Sequence, residues 1–492
     1  MSDKPTWLDE APLQQLFAAT RAAGGEARAV GGAVRDWLMS SYAKASHDGG
    51  DLWLEALAPG DVDVASTLAP ERTMEIAAQQ GWKAIPTGID HGTVTLVLPG
   101  RVVEVTTLRR DVTTDGRHAM VAFTDNWQED AARRDFTMNA ISMDASGKVF
   151  DFFEGKKDIA DRRLAFIGDA ATRIAEDGLR MLRYFRFLAT HGKPPADGDA
   201  LAAIAAKKEM ITKLSGERIA NEMRKLLAAE NPSYALRLML EQGIAPLVFG
   251  RAIDASRMIR LHMLENQADY QCSVWARVVA LLGASGIQTP SPEKPEEGFS
   301  TSPQGRGAPA SALSPNHQQA SRLKERHKGD AGAPLPRGEV DAPAAAAMMG
   351  KKSGASGEGA LPNPPHDDTH WLSNRWKLAR HETKQLTQLL QLPAFAANAP
   401  RHAHTRIIRL HSAPVYLDWL LTQAAVQQGI DIAPYVALAH EFKPPRFPIT
   451  AKDLIAQGMK EGKALGDALA VLERKWEESD YRLGREELLR DF

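Results

Sequence analysis

Four groups of residues in the first half of the chain have types and spacings that can do chemistry. Asp61 and Asp63 are separated by one residue; on a strand alternate side chains leave the same face, so both carboxylates can converge on one cation. Their hard oxygens suit Mg2+, which takes one or two carboxylates together with substrate phosphates. Gly31-Gly32 followed by Arg35 offers close backbone approach, N–H groups aimed at an anion and a guanidinium for triphosphate oxygens. Arg133-Arg134-Asp135 leads to Asn139; an Asp and an Asn four residues apart would share a helix face and suit a ribose hydroxyl, leaving Arg133 or Arg134 for phosphate. Asp177 and Arg180 set an acceptor beside a donor, the complement of an exocyclic amine beside a ring nitrogen. Cytosine and adenine present that edge, whereas uracil and guanine present the opposite order, a mismatch that is costly when buried. Metal, triphosphate, sugar and base are what a nucleotidyl transfer without a template must hold.

Each group alone has a plainer reading. Asp-x-Asp is often a loop with two solvated acids, paired glycines mark a turn, and an Asp with ordinary arginines opens many helices. Asp177 and Arg180 can be an i,i+3 ion pair worth about 0.2–0.5 kcal/mol. The order and number of the groups favour the chemical reading. Glu104 is either a third carboxylate near the metal or a satisfied polar residue on a sheet face.

The elements that must position these residues follow from the hydrophobic pattern. Residues 6–23 read as helical, and the apolar stretch 27–30 runs into Gly31-Gly32 before a helical pattern resumes at Val34, a strand, turn and helix in succession. Residues 61–66 read as a strand, and 93–98 and 102–108 as two β-rich runs joined at Pro99-Gly100 into a hairpin. Residues 40–60 read as an extended surface loop. From Phe166 onward helical patterns dominate, with 174–188, 201–207, 216–229 and 233–242 the clearest. Asp177, Arg180, Arg183 and Arg186 recur every third residue along one of them, beside an apolar stripe of Leu179, Leu182 and Phe185. The fold class is therefore α+β: a head on a small mixed β-sheet, then an all-α remainder.

At 492 residues the chain has room for several cores. Residues 1–148 form the expected head, 149–230 a helical neck, 231–284 and 371–440 two parts of a helical body, and 441–492 a tail. Between the body parts, residues 285–370 are dominated by Pro, Gly, Ser and Ala without periodicity, the composition of a disordered insertion. The only cysteine, Cys272, excludes an internal disulfide and a thiolate zinc site. No apolar run approaches the roughly 20 residues of a membrane span. A cytoplasmic protein without a membrane or an obligate protein partner is expected. Sixty basic against 62 acidic residues give a net charge of −2, so the case for a nucleic-acid partner is local. It lies in residues 371–411, where Arg375, Lys377, Arg380, Lys384, Arg401, Arg406 and Arg409 face one acid, Glu382, with histidines between them. A solvated basic helix face explains that stretch equally well.

With all four groups in place, Gly31-Gly32-Ala33-Val34-Arg35-Asp36, Asp61-Val62-Asp63, Arg133-Arg134-Asp135-Phe136-Thr137-Met138-Asn139-Ala140 and Glu176-Asp177-Gly178-Leu179-Arg180, the chain resembles the bacterial class II tRNA nucleotidyltransferases, the CCA-adding enzymes, and their relatives the bacterial poly(A) polymerases. The resemblance covers residues 25–230 motif by motif, and more loosely 452–466. It implies that Gly32, Arg35 and Arg134 bind the nucleotide's triphosphate side, that Asp61 and Asp63 are the catalytic Mg2+ ligands, and that Asp177, Arg180, Arg183 and Arg186 form the base-selecting helix. It further implies CTP and ATP as substrates and the tRNA 3′ acceptor end as partner. Residues 109–118 resemble the flexible loop with which full CCA-adding enzymes switch from C to A. Residues 78–94 lack the Arg-rich stretch usual in the poly(A) polymerases. CCA addition is thus favoured over poly(A) or single-A addition, and over an inactive RNA-binding scaffold.

Overall fold

The computed structural model describes residues 4–45, 62–113, 120–283 and 368–490. Asp61, most of the 40–60 loop, the tip of the 109–118 loop and all but the last three residues of the 285–370 insertion lie outside the described residues.

After α1 (Ala11–Ala22), strand β1 (Ala27–Val30) ends in a turn at Gly31, and α2 (Gly32–Ala45) starts at once. Residues 40–45, expected as loop, continue that helix. Then come β2 (Val62–Ser66), α3 (Pro70–Gln79), β3 (Lys83–Gly88), β4 (Thr93–Leu98) and β5 (Arg101–Thr107). The hairpin at Pro99-Gly100 forms as expected, with Leu98 opposite Arg101 and Gly100 at φ +75°. β6 (Arg109–Thr113) and β7 (Met120–Phe123) pair as a separate ribbon; α4 (Trp127–Ala132), β8 (Ser142–Met143), β9 (Val149–Phe150) and α5 (Gly155–Ala160) follow. The main sheet has the order β3-β4-β5-β2-β1-β8-β9. All neighbours are antiparallel except β2 and β5, so the sheet is mixed.

Alternation sorts the strands into two faces. Ala27, Ala29, Val62, Val64, Val94, Leu96, Leu98, Val103 and Val105 are buried in the main core with the helices of the head. The other face carries Arg28, Val30, Asp63, Ala65, Thr95, Val102 and Glu104, with Asp63, Val102 and Glu104 exposed. Half-covered antiparallel sheets have this pattern, and the open face is where the carboxylates stand.

The head joins the neck at residues 135–139. Here the expected helix is absent: Phe136 is extended (φ −119°, ψ 148°) and only Thr137–Asn139 turn, as a short 3-10 helix. The reason is Phe136 itself, fully buried and surrounded by Phe166, Tyr184 and Phe187 at ring-centroid distances of 4.9, 6.1 and 5.5 Å. Backbone hydrogen bonds Thr137 N–H to Ala165 O and Ile167 N–H to Asp135 O, both 3.1 Å, fix the same crossing. Gly155 packs so tightly on it that a Cβ would stand 2.3 Å from Thr137 O.

The expected helix over 174–188 is two helices, α6 (Ala170–Glu176) and α7 (Leu179–Thr190). Asp177 between them is extended (φ −152°, ψ 109°). Gly178 weakens helix continuation, and the Asp177 carboxylate accepts the Leu179 N–H at 3.0 Å, satisfying a donor at the new helix start. The neck and body continue through α8 (Gly198–Lys207), α9 (Gly216–Leu227), α10 (Ser233–Glu241), α11 (Ile244–Phe249), α12 (Ala255–Ala268) and α13 (Val274–Leu282). Beyond the undescribed residues stand α14 (Asp368–Trp376), α15 (Arg380–Gln391), α16 (Arg401–His411), α17 (Ala413–Gln427) and α18 (Ala433–Glu441). The tail, α19 (Ala451–Ala456), α20 (Lys463–Glu478) and α21 (Arg485–Arg490), has its own small core of Ile449, Leu454, Leu465, Leu472, Trp476 and Leu488.

Phe136→Ala should therefore lower the unfolding free energy by about 3–5 kcal/mol, read as a shift of the urea midpoint by circular dichroism. A loss below about 1 kcal/mol would mean that the aromatic cluster does not hold head and neck together.

Candidate active site

The glycine turn and strand β2 touch. Gly31 has φ +73°, a conformation that L side chains avoid, and a Cβ there would lie 3.4 Å from Asp63 Oδ2. In the sheet register Asp63 is opposite Glu104 on the parallel neighbour and Val30 on the antiparallel one. Asp63 and Glu104 are thus adjacent carboxylates on the open face, which places the acid that sequence reasoning left undecided.

One turn into α2, the Arg35 guanidinium is buried at 8% exposure. Its Nε donates to Asp36 Oδ1 and its Nη1 to Asn139 Oδ1, both at 2.8 Å. Its Nη2 lies over Gly32, where a Cβ would stand 3.6 Å away. Asn139 in turn donates from Nδ2 to Asp135 Oδ1 at 3.0 Å, and Asp135 Oδ2 accepts from Arg183 Nε at 2.6 Å. Arg35, Asn139, Asp135 and Arg183 therefore form one chain of polar contacts from head to neck. Asp135 and Asn139, expected to face a ribose, spend these atoms on the two arginines.

Burial by itself would raise the Asp135 pKa, but Arg183, Asn139 and the Phe136 N–H outweigh it and hold the carboxyl below its ordinary value. Asp36 is lowered likewise, its burial outweighed by His191 and Arg35. Arg133 and Arg134 both reach Asp130, at 2.8 and 3.2 Å, and Arg134 Nη1 also donates to Asn139 O at 3.2 Å. Asp130 is buried, and despite that burial the two arginines keep its pKa low.

On the neck, Asp177 and Arg180 do not pair with each other as the simple ion-pair reading required. Asp177 Oδ2 accepts from Arg218 of α9 at 2.6 Å. Arg180 pairs with Glu176 and donates to the carbonyls of Arg173 and Arg133 at 2.9 Å. Arg186 pairs with the buried Glu222 at 2.7 Å, which also faces Arg183 at 4.0 Å. Sequence reasoning missed Arg218 and Glu222. The available signal was a Glu in the buried stripe of α9, between Ile219 and Met223 and beside Leu226.

The basic stretch after residue 371 is partly committed to the fold. Arg375 donates to Val248 O at 2.9 Å, His404 is buried against Tyr416, and Arg406 and Arg409 pair with Glu477 and Glu473. Lys377, Arg380 and Lys384 remain on the exposed surface. The acids that face much of this stretch come from the tail, too distant in sequence for the local charge count to register.

A carboxylate-bearing sheet with a glycine turn at its edge is thus pinned to an arginine-rich helical region. Residues 27–165 match the family described as the poly A polymerase head domain, and residues 197–255 the one described as the probable RNA and SrmB-binding site of polymerase A. The chain is 40% identical over 237 residues to the mitochondrial CCA tRNA nucleotidyltransferase 1 of Mus musculus, covering 48% of this chain and 50% of that protein. It is 38% identical over 246 residues to the CCA-adding enzyme of Geobacillus thermodenitrificans, covering 49% and 56%. The chain thus spans about half the length of the curated relatives it matches. The crystal structure of the Bacillus stearothermophilus CCA-adding enzyme in complex with CTP aligns with 96% of this chain and 94% of its own, at a TM-score of 0.60 and 23% identity; the fold is shared along nearly the whole length. Over its first half the chain is thus similar to the class II tRNA nucleotidyltransferases and bacterial poly(A) polymerases.

Because its pKa is depressed in the folded protein, Asp135 contributes stability that is full above its unfolded value of 3.8 and disappears as pH falls through the lower folded value. Asp135→Asn should cost about 2–3 kcal/mol near neutral pH, and the gap to the native protein should close as pH is lowered below that unfolded value. Urea denaturation across pH measures both. A gap that persists in acid would show that the carboxylate charge is not what holds the crossing.

Proposed function

We propose that the protein adds C, C and A to the 3′ end of tRNA from CTP and ATP, releasing pyrophosphate. The observation that supports this reading most is the contact of the Gly31 turn with the Asp63 carboxylate: a glycine turn suited to a triphosphate lies beside a carboxylate suited to a metal ion. Asp61, Asp63 and the adjacent Glu104 supply hard oxygen donors only, a set suited to Mg2+. When bound, Mg2+ would lower the pKa of the attacking hydroxyl and neutralise the charge of the departing pyrophosphate. The backbone at Gly32 and the Nη2 of Arg35 hold the triphosphate, with Arg134 at the Asn139 end of the same polar chain. Positioning and charge neutralisation supply most of the rate enhancement.

Asp177, held by Arg218 and the Leu179 N–H, keeps lone pairs for the amine of C or A, and Arg180 provides the neighbouring donor. Arg183 and Arg186 brace that helix through Asp135 and Glu222. The exposed Lys377, Arg380 and Lys384 offer phosphate contacts for the RNA. No helix among the described residues is long and apolar enough to cross a membrane. Addition of A alone, or of poly(A), would use the same residues with a different RNA surface.

Single-nucleotide analysis of products from the purified protein, Mg2+, each NTP and tRNAs ending before, within or after CCA tests the reading. Stepwise C, C, A with arrest is expected; A only on a CC end, or long A tails, would replace it with the alternatives. Asp61→Ala and Asp63→Ala should each reduce incorporation by at least about 1000-fold while RNA binding by filter retention stays near native. Activity within about tenfold of native in both would remove the metal assignment. Asp177→Ala should admit UTP and GTP, and unchanged rejection of both would exclude it from base selection.

A further inference from the structure

The C-terminal end of α7 makes a contact that none of the four motifs anticipates. His191, the residue after the helix, reaches back to the head and places Nε2 3.3 Å from Asp36 Oδ1, the same oxygen that accepts from Arg35 Nε at 2.8 Å. Its Nδ1 is 2.5 Å from the Thr190 hydroxyl, and its ring packs on Phe187 with centroids 5.4 Å apart. A cavity of about 560 Å3 opens here, lined by Arg35, Asp36, Met39, Thr190, His191 and Tyr234 among others.

The protonation pattern follows from the partners. Burial first, then the positive charges of Arg35 and Arg186, push the His191 pKa down to about 4, against the pull of Asp36. The imidazole is neutral near physiological pH. An ionised Asp36 can only accept, so Nε2 carries the hydrogen, and the one Thr190 hydroxyl hydrogen, also within reach of Arg186 O at 3.0 Å, is then turned to Nδ1. Asp36 is thus gripped from both sides, by a donor from its own helix and a donor from the neck.

From this geometry we infer that His191 is a positioning residue for nucleotide binding: by holding Asp36 it fixes the Arg35 guanidinium over Gly32, where the triphosphate binds. The inference rests on the proposed nucleotidyl transfer. The 12 residues of α7 span about 18 Å, with the base-selecting Asp177 and Arg180 at one end and the tie to the triphosphate turn at the other. The helix thereby acts as a spacer between the two ends of the nucleotide site. A defect at His191 loosens the triphosphate end and leaves base choice alone.

His191→Phe keeps a ring on Phe187 and removes the donor; His191→Gln restores an amide N–H near the Nε2 position. Both are compared with the native full-length protein for kcat and KM with CTP and ATP on tRNA, and for Kd of each nucleotide with Mg2+ by titration calorimetry. His191→Phe should raise KM and Kd for CTP and ATP alike by roughly tenfold with kcat within about twofold of native. His191→Gln should recover most of that loss, and UTP and GTP should stay rejected in both. Thr190→Val, which frees the other side of the ring, should shift Kd the same way by a smaller factor and covers the case in which His191→Phe does not fold. Native KM and Kd in His191→Phe, no recovery with Gln, or altered base choice would each overturn the inference. Native protein that binds CTP and ATP without incorporating either would refute the proposed reaction instead, and the Kd values would still decide the role of His191.

Discussion

The Asp135 carboxylate is the interaction on which the rest of the site depends. It is nearly buried, yet accepts hydrogen bonds from its own chain, from Asn139 and from Arg183. A carboxylate taken out of water is costly unless its lone pairs are filled, and here the filling groups come from two segments of the chain, around Asn139 and on α7. Losing either set of donors would strand a charge. The head sheet and the neck helices are therefore held in one arrangement by an electrostatic requirement, with the Phe136 cluster excluding water around it.

Much of this was legible in the sequence. β4 and the hairpin at Pro99-Gly100 follow directly from β-branched runs meeting at a turn pair, and β1, Gly31 and α2 from an apolar stretch that stops at glycines. Local pattern failed where a tertiary demand overrode it. The spacing of Asp135 and Asn139 suggested a helix face, but burial of Phe136 draws the backbone into an extended form and a 3-10 turn recreates the contact by another path. The periodicity through 174–188 likewise hid the break at Asp177, since a carboxylate that caps a helix leaves the apolar stripe of Leu182 and Phe185 intact on the far side.

The partners of the motif residues were the least visible part. Arg218, Glu222 and His191 meet Asp177, Arg186 and Asp36 across 41, 36 and 155 positions of sequence, and no local rule connects such pairs. The tail follows the same logic. Its core is separate, and its attachment combines ion pairs of Arg401, Arg406 and Arg409 with Asp480, Glu477 and Glu473 and contacts of Tyr481 with Phe442 and Thr405. Salt screens the more exposed Arg401–Asp480 pair, whereas the pairs made by Glu477, itself 2% exposed, are screened much less.

The break at Asp177 has a consequence for how such a chain can change over generations. A carboxylate inside a regular helix would take its direction from that helix, and only substitutions on the helix would redirect it. Asp177 instead takes its direction from a backbone N–H on one side and from Arg218, on a different helix, on the other. If Asp177 reads the base, the choice of nucleotide is open to drift through α9, the helix that carries Arg218. Lineages of this fold can then diverge in what they incorporate while every residue facing the base stays the same.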